Sequence, residues 1–377
     1  MLHSRARCPP GRRGLPLPDM RSHARAVLGC VSALLASGSG LSFTNPVVSD
    51  NSPDPGVVFT GEEFVAVTTG GDNNGVFPVH ATSDLAVWRK LGYVFFASGS
   101  SSGLPAWTDG DAGFFWAPEI HKLPGGTYAL IYCARARGAV HSQHSIGVAT
   151  APTAHGPWTS PLDGPLLSHP GPVGVIDPTL FVEDDGRVFL VYKVDANAVG
   201  KLTQILAVQL DATATRVLSS EPWELIHTDQ AWEGPLVEAP WIVRRGGQLF
   251  LFYSGNIMDN YAVGVARAQS MEDTAWAKLG APIVSASNST GWGLVGPGHS
   301  SVLQLPPASP GSEGSWVMWF HTWMGRQRSY NFGEPRRITQ AVLAWDGATG
   351  WPSLAVGNAR PPIGPRTVPP FANVSSV

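Results

Sequence analysis

The chain has 377 residues, of which only 14% are charged, with 43 glycines, 33 prolines and 14 tryptophans. That balance excludes a charge-rich disordered chain and a helical bundle, and suits an all-β protein with many tight turns. The formal net charge is −3.

The sign of that charge is unevenly spread. Residues 1–40 hold six arginines (Arg5, Arg7, Arg12, Arg13, Arg21, Arg25) and one acid, Asp19, which leaves 19 basic and 27 acidic residues, a net of −8, for the rest. So acidic a domain is a poor partner for nucleic acid or an anionic membrane, whereas a neutral glycan is indifferent to it. Arg21 and Arg25 precede the apolar stretch AVLGCVSALLA (26–36) and the small residues SGSG (37–40). A basic, then apolar, then small-residue order is that of a secretory leader, and the apolar run is too short to span a bilayer. Residues 1–40 are therefore read as a signal peptide with an upstream extension, and the protein as secreted; a disordered tail or an Arg-rich transit peptide is the other reading. Cys8 and Cys30 fall in this leader. The remaining Cys133 follows ALIY (129–132) and reads as a core residue rather than a nucleophile. Asn288 and Asn373 head glycosylation sequons.

Along residues 41–360 one pattern recurs five times. DPGVVF (54–59), APEIHKL (117–123), DPTLFV (177–182), APWIV (239–243) and GPGHSSVLQL (296–305) each place a proline before an apolar strand. Pro55, Pro118, Pro178, Pro240 and Pro297 are spaced 63, 60, 62 and 57 apart. A Gly- or Glu-bearing turn follows each stretch, then an aromatic-rich strand: FVAV (64–67), YALIY (128–132), VFLVY (188–192), LFLFY (249–253) and WVMWF (316–320). Two apolar runs about a short turn make a β-hairpin. A third strand recurs at 78–83, 146–151, 204–210, 262–268 and 339–345, and Trp88, Trp158, Trp223, Trp276 and Trp351 mark a fourth. Four-stranded units repeated at about sixty residues predict a five-bladed β-propeller with four antiparallel strands per blade. Residues 41–45 are placed to close the ring with the last blade, and residues 361–377 form a C-terminal tail.

The innermost strand of a blade lines the axial channel, so Asp54, Glu119, Asp177, Glu238 and His299 converge there. Asp177, Glu238 and His299 are 61 and 61 residues apart, one blade each, and the three acids Asp54, Asp177 and Glu238 are read as sharing one phase of the repeat. An Asp-Pro pair by itself is a common turn starter. Several acids crowded at a channel mouth have unequally raised pKa values, which yields the protonated and ionised pair that glycoside hydrolysis needs.

These segments resemble glycoside hydrolase family 43, the arabinanases, α-L-arabinofuranosidases and β-xylosidases. The resemblance runs over about residues 44–356 and is carried by NPVVSDNSPDPGVV (45–58), FFWAPEIHKLPGGTYALIY (114–132), IDPTLFVEDDGRVFLVYK (176–193), WEGPLVEAPWIVRRGGQLFLFYSG (232–255) and GPGHSSV (296–302). It implies a five-bladed propeller in which Asp54 matches the general base, Glu238 the general acid and Asp177 the carboxylate that modulates the acid's pKa. Trp116 matches an aromatic of the sugar site. His299 matches a histidine near the channel floor, which in some members helps hold a calcium or other ion through water. Of the last-blade arginines that touch substrate or acid in the family, Arg337 is the match taken, with Arg326 and Arg336 as rivals. Glu119 departs from the family's usual Asp and is left as structural or peripheral.

The resemblance thus implies inverting hydrolysis of a polysaccharide or oligosaccharide by a monomer. No cofactor is required, and a structural calcium at the axis is the one ion it allows. The WEGPLVEAPW and GPGH segments favour α-L-arabinofuranosyl linkages, as in arabinan or arabinoxylan, over the β-xylosidase alternative. A non-catalytic glycan-binding propeller is the alternative of another class; it has less use for three axial acids.

Overall fold

A computed structural model of the chain describes residues 42–96, 103–140, 143–287, 293–307, 313–323, 333–355 and 366–367. The leader, both sequon asparagines, Arg326 and most of the C-terminal tail lie outside the described residues.

Five antiparallel sheets follow one another in chain order, each starting from an innermost strand: Gly56–Phe59, Phe115–Lys122, Val175–Val182, Val237–Arg245 and Val295–Gln304. The second strands are Phe64–Val67, Tyr128–Arg135, Val188–Val194, Gln248–Gly255 and Trp316–Trp323. These are buried on both faces, so they read as continuous apolar runs rather than alternating ones. Tyr128, Leu130 and Tyr132 face the first blade, for example, while Ala129 and Ile131 face the third. Among the described residues each blade boundary holds a large apolar cluster, including the one that joins the fifth blade (Val317, Trp319, Ile338) to the first (Val57, Phe64, Ala66), and a small further cluster of Ala117, Cys133 and Ile176 lies between the second and third blades. The hairpin turns PGG, DDG and RGG place Gly126, Gly186 and Gly247 at φ of 85°, 87° and 78°, where a side chain would be strained.

Closure uses the N-terminal segment as expected. Asn45 and Gln340 exchange two hydrogen bonds of 2.8 Å, and Val48 bridges Ile338 of the last blade. The fourth strand is formed in the first, third and fifth blades, Arg89–Phe96, Trp223–His227 and Pro352–Leu354, and is split in the fourth into Ala277–Lys278 and Val284–Ser285. In the second blade it is reduced to isolated bridges, Thr150 to Thr159 and Ile146 to Leu167. Pro157, Pro161 and Pro165 remove the backbone donors that a regular ladder needs there.

Candidate active site

The innermost strands share a backbone device that the proline pattern only partly marks. Asp54, Ala117, Asp177, Ala239 and His299 all have positive φ, between 49° and 56°, and are spaced 63, 60, 62 and 60 apart. In the second to fifth blades the register to the second strand shifts at this point. Left-handed backbone at a non-glycine residue is strained and persists only where its surroundings hold it. The proline follows this residue directly in the first four blades, but in the fifth Ser300 stands there and Pro297 falls two residues before His299. Glu238 is likewise not in phase with Asp54 and Asp177. It stands one residue earlier, level with Trp116 and Ile176, because the bulge residue of its blade is Ala239. The reading of three acids in one phase is corrected accordingly. An extra residue at a bulge re-aims the side chains beside it, so residues from both phases reach the channel.

Each bulge also frees a backbone N–H, and a side chain of the preceding blade accepts it. Thr69 Oγ1 takes the N–H of Ala117 at 2.7 Å, Ser254 Oγ that of His299 at 2.7 Å, and His321 Nδ1 that of Asp54 at 3.1 Å. The Cys133 thiol meets the backbone of Asp177. The fifth N–H, of Ala239, is taken by the Asp177 carboxylate, Oδ2, at 3.1 Å. These bonds run round the axis and hold the five innermost strands in mutual register.

Asp54 is 9% exposed. Burial works against its charge, but the Arg336 guanidinium, His299 and His321 outweigh it and hold its carboxyl well below the usual carboxylate range. Arg336 Nη1 lies 3.3 Å, His321 Nδ1 3.1 Å and His299 Nδ1 3.5 Å from its Oδ1. The arginine at Asp54 is thus Arg336 and not its neighbour Arg337, whose Nε donates to the Ser49 carbonyl at 3.2 Å. Arg337 begins the strand Arg337–Trp345 and pairs with Thr322, whereas Arg336 precedes that strand and turns to the channel.

Glu238 and Asp177 behave oppositely to Asp54. Burial raises Glu238 to about 7, with the Asp177 charge adding to the rise and Lys193 opposing it. Burial also raises Asp177 to about 7, against the pull of Lys193. The hydroxyl of Tyr261 donates to Glu238 Oε1, and Lys193 Nζ lies 2.6 Å from Oε2. One carboxyl of the site is therefore held ionised and another is held protonated into the neutral range, which is an acid–base division of labour.

Glu119 is not peripheral. It is 2% exposed, with Oε1 3.9 Å from His299 Nε2 and Oε2 3.0 Å from His121 Nε2. Burial lifts it to about 8 and drops His121 to about 3, so the pair stands as a neutral acid donating to a neutral imidazole. Farther along the same strands Val57, Ile120, Leu180, Trp241 and Val302 line an axial cavity of about 290 Å³. Calcium takes six to eight oxygen ligands. One imidazole and one protonated carboxyl on the axis do not fit a directly ligated ion, and among the described residues no cluster of three or more His, Cys, Asp or Glu is arranged for one. Trp116 is half-buried, its Nε1 donating to the Gly113 carbonyl at 2.7 Å and its ring 4.0 Å from that of His144.

The family description Glycosyl hydrolases family 43 matches residues 43–352. The chain belongs to this family. It is similar to an arabinoxylan arabinofuranohydrolase of Bacillus subtilis (strain 168), 35% identical over 31% of this chain and 23% of that protein. It is also similar to a β-xylosidase of the same organism, 25% identical over 70% of this chain and 48% of that protein. The chain thus spans less than half the length of these curated relatives. Among solved structures, a thermostable family-43 glycoside hydrolase shares the fold, with a TM-score of 0.70 and 24% identity over 86% of this chain and 99% of that one.

Sequence reasoning missed Lys193, His321 and Tyr261. Lys193 and His321 carried a signal, since each is a polar residue set in an apolar second strand, VFLVYKV and WVMWFHTW. Tyr261 carried none.

Proposed function

We propose that this chain is an inverting glycoside hydrolase that cleaves α-L-arabinofuranosyl linkages in a polysaccharide or oligosaccharide. The observation that carries the reading is the opposed state of two channel carboxyls: Asp54 held ionised chiefly by Arg336, Glu238 held protonated by burial. Glu238 gives a proton to the glycosidic oxygen as its bond to the anomeric carbon breaks. Asp54 takes a proton from the water that attacks that carbon from the opposite face. Asp177 sits beside Glu238, and while charged it favours the protonated acid. Trp116 offers an aromatic face to the sugar and His299 lies at its floor. No cofactor enters these steps. Residues 1–40 are proposed to export the protein, and among the described residues no helix is long and apolar enough to cross a membrane.

The arabinofuranosyl preference is supported by the arabinoxylan arabinofuranohydrolase likeness. β-Xylosyl cleavage is the second reading, favoured by the β-xylosidase likeness over 70% of the chain. The test is sugar release from linear arabinan, arabinoxylan and xylobiose, with the anomer of the first product followed by NMR. Arabinose released with inversion is expected. Xylose alone would transfer the reading to the second linkage, and retention would overturn the mechanism. A folded protein that binds these glycans without cleaving any would instead be a glycan-binding propeller.

A further inference from the structure

Lys193 is a buried charge that the acid–base scheme leaves without a task. It is 1% exposed and pairs with Ile176 in the third blade. Thr69, Cys133, Ser254 and His321 occupy the corresponding place in the other blades; Thr69, Ser254 and His321 each accept a bulge N–H of the next blade, and the Cys133 thiol meets the backbone of Asp177. An ammonium has only donors and cannot do this. Asp177 takes the Ala239 N–H instead, and Lys193 Nζ turns to Glu238 Oε2 at 2.6 Å and Asp195 Oδ1 at 2.9 Å. The ring of caps is altered at the one blade boundary that carries the acid.

A lysine against a general acid presents a conflict, since a lone positive charge would strip the acid of its proton. Asp195 offsets it from the other side of Nζ. The charged and titratable groups that face Glu238 are Lys193 and Asp195 from the second strand of the third blade and its end, Asp177 from the innermost strand, and Tyr261 from its own blade. In a protonated carboxyl the carbonyl-like oxygen is the better acceptor. The oxygen that accepts from Lys193 is therefore not the one that carries the proton, and the Tyr261 hydroxyl, which donates to Oε1 of the carboxylate, accepts from Oε1 once that oxygen is protonated.

We propose that Lys193, compensated by Asp195, is a positioning residue that grips Glu238 by Oε2 and so assigns the transferable proton to Oε1, beside Tyr261. This rests on Glu238 being the acid. In the step, the proton passes from Oε1 to the glycosidic oxygen as the bond to the anomeric carbon breaks and its electron pair goes to that oxygen. Lys193 keeps its three protons throughout.

The test is the pH profile of kcat/KM on whichever of arabinobiose and xylobiose the full chain cleaves, since an unactivated leaving group depends on the acid. Lys193→Met removes a positive charge, so the alkaline limb should move up by about one pH unit; Asp195→Asn leaves that charge uncompensated, so the limb should move down by a similar amount. Lys193→Arg should restore the limb toward wild type. Opposite displacements cannot come from a merely structural role, which would lower the rate and leave the limb in place. A limb unmoved in both Lys193→Met and Asp195→Asn overturns the proposal, and Asp195→Asn alone decides if the lysine variant does not fold. Full activity of Glu238→Gln on the same disaccharide would sink the acid assignment itself, separately from the lysine.

Discussion

Replacing Arg336 by Met isolates the interaction that keeps Asp54 ionised. The guanidinium lies 3.3 Å from the Asp54 carboxylate, and the two side chains are 23% and 13% exposed. At that distance a charge pair is worth about 5 kcal/mol at an effective dielectric of about 20. His321 and His299 remain, and water entering the vacated space lowers the desolvation cost. A net rise of about one to two pH units for Asp54, roughly 1.4 to 2.7 kcal/mol, follows. Asp54 must be ionised to act as base, so its pKa sets the acid limb of kcat/KM. Because the wild-type value is depressed, that limb lies at low pH, and in the variant it should move up by the same one to two units. The stability effect has the same sign. A depressed carboxylate stabilises the fold above the ordinary carboxylate pKa, and this is lost as pH falls through its folded value, so the variant should also melt earlier at neutral pH. Sugar release and thermal melting are measured together from pH 3 to 8. A folded variant whose rate falls equally at every pH, with the acid limb unmoved, would refute the reasoning.

Three further outcomes are expected. Glu238→Gln should fold and lose about 10²- to 10⁴-fold in kcat on a natural disaccharide, checked by steady-state kinetics beside circular dichroism; the wild-type alkaline limb should fall near pH 7, where Glu238 loses its proton. Ser254→Ala leaves the buried N–H of His299 without its acceptor and should cost about 1 to 3 kcal/mol in urea denaturation. Gly264→Ala puts a Cβ 2.5 Å from the Trp232 ring and 2.8 Å from the buried Tyr253, and should cost about 1 to 3 kcal/mol by thermal melting.

The propeller, its blade count and the residues Asp54, Asp177, Glu238 and His299 were legible in the chain. A repeat that buries both faces of every blade writes the same apolar pattern five times, and a proline in or just before each innermost strand marks its phase. Contacts between blades leave no such record. Whether Arg336 or Arg337 turns to Asp54 depends on where the strand Arg337–Trp345 starts, a one-residue matter that alternation along the chain does not settle. Glu119 and His121 become a neutral pair only because the closed ring shuts them from water. Lys193 meets Glu238 from 45 residues away. Rotation of one blade against the next, with a bulge that re-aims the side chains beside it, makes that meeting, and only the folded ring has that geometry.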